Sequence, residues 1–190
     1  MKSNHEEQLK LIEEMIESTK VKISEGSIFY LIWGWLVILA AALNYYLLVF
    51  AQYENHWIVW PILMPIGGIV SMIIGRKQAK KAKRKTFIDR ALNYLWGGFV
   101  ITLLLALLGI VRLGPEGVYP IIMLLYGLGT FVSGGILKFR PLIIGAMGAW
   151  LVGIVAFFVP FQEQLILLGV SILVSYLIPG YLLSKSSQHV

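Results

Sequence analysis

Four side chains in this 190-residue chain combine reactive types with positions in short hydrophilic links: His56 and the acids Glu54, Glu116 and Glu163. Carboxylates that converge can hold a cation or pass protons, and an imidazole beside them adds a general base. The acids sit in three different links, so only clustering of those links would assemble such a group. The plainer expectation is three solvated loop residues. His5 and His189 lie far from His56 in sequence, and no pair has metal-ligand spacing. The chain has no cysteine, which removes disulfides, thiolate metal sites and cysteine nucleophiles. Its glycine pairs fall inside apolar runs, where they cannot cradle a phosphate, and there is neither a P-loop nor a nucleophile elbow. The sequence therefore assigns no catalytic, cofactor-binding or metal-binding residue and leans away from an enzyme.

A second set of polar groups lies within the apolar runs: Asn44, Asn93, Thr102, Tyr126, Thr130, Ser133, Ser171, Ser175 and Tyr176. Groups of this kind hydrogen-bond between helices in lipid. Asn44, Thr102 and Tyr126 are the residues expected to line a cavity if a neutral or amphipathic solute passes through. No charged residue or histidine lies in the body of any run, which argues against a proton-coupled pump.

The elements that position these groups follow from composition. The chain is 58% hydrophobic and 14% charged, with a mean hydropathy of +0.78, whereas soluble domains carry about 25% charged residues. Six runs are long enough to cross a bilayer: about 28–50, 57–75, 91–111, 118–137, 141–159 and 165–183. Between the second and third lies a basic stretch, 76–90, with eight of the sixteen Lys and Arg residues, among them Arg76, Lys77, Lys80, Lys81, Lys83, Arg84 and Lys85. Charge of this density stays cytoplasmic. Placing both termini and the 138–140 link on the same side leaves Arg112 as the sole basic residue outside. The sequence thus predicts an all-α integral membrane protein with six spans, both ends in the cytoplasm, and a polar tail at 184–190.

Residues 1–27 read as an amphipathic cytoplasmic helix, with Leu9, Ile12, Ile16 and Ile23 on one face. Its side chains are net acidic, which favours a protein contact over anionic lipid. It has no apolar core of signal-peptide type, so the first span is expected to act as the insertion signal. The basic stretch is expected to meet anionic headgroups at about 1 kcal/mol per residue, or a partner protein. It lacks the base-reading groups of a nucleic-acid site.

Small residues mark expected helix contacts. These are Gly67, Ser71 and Gly75 in the second run, Gly129 and Ser133 in the fourth, and Gly145, Ala149 and Gly153 in the fifth. Pro61 and Pro65 predict a kink or break in the second run, and Pro179-Gly180 a break in the sixth. The second and fourth runs open alike, Trp60-Pro61-Ile62-Leu63-Met64 and Tyr119-Pro120-Ile121-Ile122-Met123, and the first and third share Trp33-Gly34 and Trp96-Gly97. Tandem hairpins would produce that pattern.

With its polar N-terminal helix and Trp33-Gly34-Trp35 in the first run, the chain resembles small uncharacterised multi-pass bacterial inner-membrane proteins. That resemblance implies an inner-membrane location and carries no activity. The expectation is a non-enzymatic structural or regulatory module that contacts lipid or a partner through its cytoplasmic face, with a homo-oligomer also open. The alternative is a small transporter or channel for a neutral or amphipathic solute.

Overall fold

The computed structural model describes residues 2–81 and 87–186, with side chains for 26–80 and 87–185. The side chains of the N-terminal helix, and those of Lys81, Lys83, Arg84 and Lys85, lie outside the described residues. Every regular element described is helical. The helices are α1 (Lys2–Val49), α2 (Val59–Lys81), α3 (Phe87–Leu108), α4 (Ile110–Ile136), α5 (Arg140–Ala156), α6 (Phe161–Ile172) and α7 (Ile178–Ser186). A short 3-10 helix, His56–Ile58, precedes α2, and a π-turn, Leu173–Leu177, joins α6 to α7.

Five helical segments are long and apolar enough to cross a membrane: Gly26–Val49, His56–Lys80, Phe87–Leu108, Ile110–Ile136 and Phe161–Lys185. Arg140–Ala156 is apolar but shorter, at 17 residues.

The prolines act according to their place in the hydrogen-bond ladder. Pro61 falls in the first turn of α2, where its missing N–H has no intrahelical partner to lose. Pro65 forfeits only the bond to the Pro61 carbonyl, and α2 runs unbroken to Lys81, six residues beyond the expected span. Between α3 and α4 the expected link, 112–117, is mostly helical. The turn is concentrated at Gly114, whose φ of +69° suits glycine, and Pro115 restarts the helix with its preset φ. Pro179 does not end the last segment. Its ring would clash with the Ser175 carbonyl in a regular helix, and the π-turn just before it widens the ladder there, so the helix continues to Ser186. Helix α5 stops at Ala156, short of the expected 159: the chain turns over 157–159, and Pro160, extended at ψ 158°, leads directly into α6.

The helices are arranged as an arc. Helix α2 packs on α1, α1 on α6 and α7, α6 on α4, and α4 on α3, while α5 backs α4 and α6. Helices α4 and α5 form the most extensive pair, joined by a tight link in which Lys138 adopts φ +52° and the Phe139 N–H donates to the Gly134 carbonyl (2.9 Å). Although α2 and α3 are consecutive, no Cα of one lies within 8 Å of a Cα of the other among the described residues. The arc is therefore open along one seam, between α2 and α3. We call the end where α2 terminates and α3 begins the basic end, and the opposite one the far end.

Both helices that border the seam are held by the same device. Gly67 of α2 faces Trp33 and Leu36 of α1, and a Cβ there would collide with Leu36 and lie 3.4 Å from the indole. Gly129 of α4 faces Trp96 and Phe99 of α3, where a Cβ would lie 3.3 and 3.4 Å from the two rings. In each case a tryptophan and the residue three positions later, on an odd-numbered helix, cover a glycine on the next helix. The tryptophans of the two Trp-Gly pairs are thus used alike, whereas their glycines are not: Gly34 packs on Leu177 and Gly97 meets nothing within 4 Å.

Candidate functional site

The inside of the arc is filled by aromatic side chains in two layers. The layer toward the basic end is a closed ring of five: Tyr30, Trp96, Phe99, Tyr126 and Tyr176. Successive centroids lie 6.0 Å (Tyr30–Trp96), 5.2 Å (Trp96–Phe99), 5.0 Å (Phe99–Tyr126), 5.3 Å (Tyr126–Tyr176) and 5.3 Å (Tyr176–Tyr30) apart. Most pairs meet edge to face or tilted, the arrangements favoured by ring quadrupoles. The π-turn carries Tyr176 into this ring. Trp96 joins α3 to Tyr30 and Tyr176, although among the described residues no α3 Cα comes within 8 Å of a Cα of α1, α6 or the π-turn.

Hydroxyls thread this layer. Tyr30 faces Ser133, and Tyr176 faces Thr130. Thr130 donates to the Tyr126 carbonyl (2.8 Å) and Ser175 to the Ser171 carbonyl (2.7 Å). The hydroxyls of Tyr30, Ser133, Tyr176 and Ser171 are buried and close no hydrogen bond of their own. Such groups represent a cost of about 1–3 kcal/mol each unless a polar atom satisfies them.

The layer toward the far end is built on Asn44, which is fully buried on α1. Its amide lies 2.7 Å from His56 Nδ1. With the amide oriented so that donors meet acceptors, Nδ2 also donates to the His56 carbonyl (3.2 Å), and Oδ1 accepts from Trp60 Nε1 (2.8 Å). Tyr119 faces this amide and stacks edge-on against Trp60 (6.0 Å) and Phe161 (5.0 Å). One asparagine thus ties the end of α1 to the start of α2, next to α4 and α6.

Gln164 is a second buried amide, and its Nε2 donates to the carbonyls of Glu116 (3.0 Å), Ala156 (3.0 Å) and Val159 (3.2 Å). It fastens the α5–α6 turn to the start of α4.

The three residues expected to line a cavity go to different places. Asn44 is in the far layer and Tyr126 in the basic-end ring. Thr102 is exposed on α3 and bonds back to the Gly98 carbonyl (2.9 Å). A shallow apolar recess of about 250 Å³ lies elsewhere, between α1 and α6, lined by Ile38, Ala41, Ala42, Tyr45, Leu165, Ile166 and Gly169. Besides Gly67 and Gly129, Gly145 faces the Val174 carbonyl and Pro179, Gly153 faces Met123 and Leu124, and Ala149 and Ser133 are fully buried. The Ser71 hydroxyl is buried without a partner, and Gly75 faces open space. Arg76, Lys77 and Lys80 are exposed on the last turns of α2. His56 and the loop acids do not converge. Among the described residues no three His, Asp or Glu side chains group as metal ligands would, and His56 turns inward to Asn44.

No protein-family model matches this chain, and neither a curated protein nor a solved structure is significantly similar to it.

Proposed function

We propose that this chain is a six-span membrane module with both termini and the basic stretch in the cytoplasm. In this reading it is non-enzymatic, resides in a bacterial inner membrane, and acts through its cytoplasmic face on anionic lipid or a partner protein. Helix α5 is the sixth span. Its 17 residues extend about 25 Å, and tilt-free helices of about that length still suit a thin bilayer. It lies between α4 and α6 and backs both, as a span would.

The observation that carries the functional reading is the seam. The basic stretch sits on the one hairpin whose helices stand apart, and α2 and α3 bury far less of their surface than α4 and α6. Its charges are therefore presented at the membrane surface on loosely packed arms, where Arg76, Lys77 and Lys80 meet headgroups or an acidic partner. The test is thermal stability in nanodiscs of phosphatidylglycerol or phosphatidylcholine. Phosphatidylglycerol should raise the midpoint, salt should reduce the gain, and Lys77→Glu with Lys80→Glu should remove it. Equal midpoints in both lipids would contradict the reading.

One observation favours transport of a neutral or amphipathic solute as a second reading. Beside the aromatic ring, Tyr30 faces Ser133 and Tyr176 faces Thr130, and the hydroxyls of Tyr30, Ser133 and Tyr176 are buried, uncharged and close no hydrogen bond. A solute hydroxyl or carbonyl group reaching this place would bond to one or two of them. Flux of such a solute into proteoliposomes, reduced in Tyr176→Phe, would support that reading over the first.

A further inference from the structure

We propose that the seam between α2 and α3 is a binding crevice for one anionic phospholipid, with its acyl chains between the two helices and its headgroup on the basic residues at the mouth. This deepens the reading above and rests on it.

The seam cannot stay empty in a membrane. The neighbouring helices meet the bundle at adjacent turns of α1: α2 against Trp33 and Leu36, and α3 through Trp96 against Tyr30. Between them no backbone approach closes the gap. Helix α2 has Gly68 and Gly75, and α3 has Gly97 and Gly98, at which an added Cβ would meet nothing within 4 Å. Small residues of this kind let a neighbour approach closely, and although α2 packs on α1 and α3 on α4 through other residues, these four glycines have nothing against them. Apolar chains must fill the space, from lipid or from protein.

Charge selects between the occupants. Arg76, Lys77 and Lys80 are exposed at the basic end of α2, and Arg90 is exposed in the first turn of α3. A second copy docking by the same seam would bring two such basic stretches together, which like-charge repulsion opposes. A phosphate headgroup at the mouth has the complementary sign, while its chains match the apolar walls.

The test uses the absence of native cysteine. The purified protein, exchanged into a zwitterionic detergent, is supplied with phosphatidylglycerol or phosphatidylcholine of equal chain length and weighed by native mass spectrometry. The expected result is one phosphatidylglycerol retained per chain, preferred over phosphatidylcholine by tenfold or more, about the effect of one or two basic residues at the surface. Charge reversal of Arg76, Lys77, Lys80 and Arg90 should abolish the preference. Tying the arms together through Gly68→Cys and Gly98→Cys with a short bifunctional maleimide should expel the lipid. Retention of phosphatidylglycerol after tying would overturn the crevice while leaving the basic face as a headgroup surface. No preference in the untied protein would overturn both, and a lipid-free dimer would replace the lipid with a second copy.

Discussion

Trp96 of α3 covers Gly129 of α4, with the outer edge of its indole 3.3 Å from where a Cβ on that glycine would stand. The same indole reaches Tyr30 and Tyr176, so it links α3 to α1 and the π-turn, while Phe99 joins it in holding α3 to α4. Replacing Trp96 with Ala should free α3 selectively. In hydrogen exchange, amides of α3 should lose protection while those of α4 and α5 keep theirs. Uniform loss across all helices would mean that the ring is a general core and not an attachment point.

The glycines beneath the two tryptophans should tolerate no bulk. Gly67→Leu and Gly129→Leu should each destabilise by about 1–3 kcal/mol, the usual effect of overpacking. Gly68→Ala should cost far less, since its Cβ would meet nothing within 4 Å. Thermal unfolding in detergent separates these outcomes, and equal effects at Gly67 and Gly68 would remove the proposed Trp–Gly contact.

Asn44→Leu should lower stability by about 1 kcal/mol, because it leaves the partly buried His56 ring and Trp60 N–H without their amide. The same change should shift tryptophan emission through Trp60. An unaltered spectrum, with unaltered stability, would show that the far layer is not assembled on Asn44.

Gln164→Glu should be worse than Gln164→Met. A carboxylate cannot donate to the three carbonyls that the amide now reaches, and it adds a buried charge. The readout is protease cutting at the α5–α6 turn. Faster cutting in the Met variant than in the Glu variant would contradict the role given to its Nε2.

Much of the fold could be read from residue order. Long apolar runs, the 76–90 basic stretch and the small-residue spacings depend on composition and helical period, which are local properties. The arc does not. That α2 and α3 part, although joined by a short link, depends on how Trp33 and Trp96 seat on different glycines, a long-range choice that periodicity cannot encode. Asn44 and His56 were both visible as polar residues. Their pairing depends on the shape of the link between them, where Gln52 takes a φ of +47°. Pro179 pointed to an interruption, yet a proline in an apolar helix is accommodated as easily by a π-turn as by a break. The tandem Trp-Gly and aromatic-Pro motifs were legible, and it took packing to show that each tryptophan covers the glycine of its own hairpin.

The account rests most heavily on six crossings, and the segment that decides it is α5. Single cysteines at Gln78, Lys138 and Glu163, placed in this cysteine-free chain, should be probed in intact cells with a membrane-impermeant maleimide. Labelling at position 163 alone, with 78 and 138 reached only after lysis, is the predicted result. Labelling of 138 and 163 from the same side would show that Arg140–Ala156 does not cross, and would contradict the six-span topology.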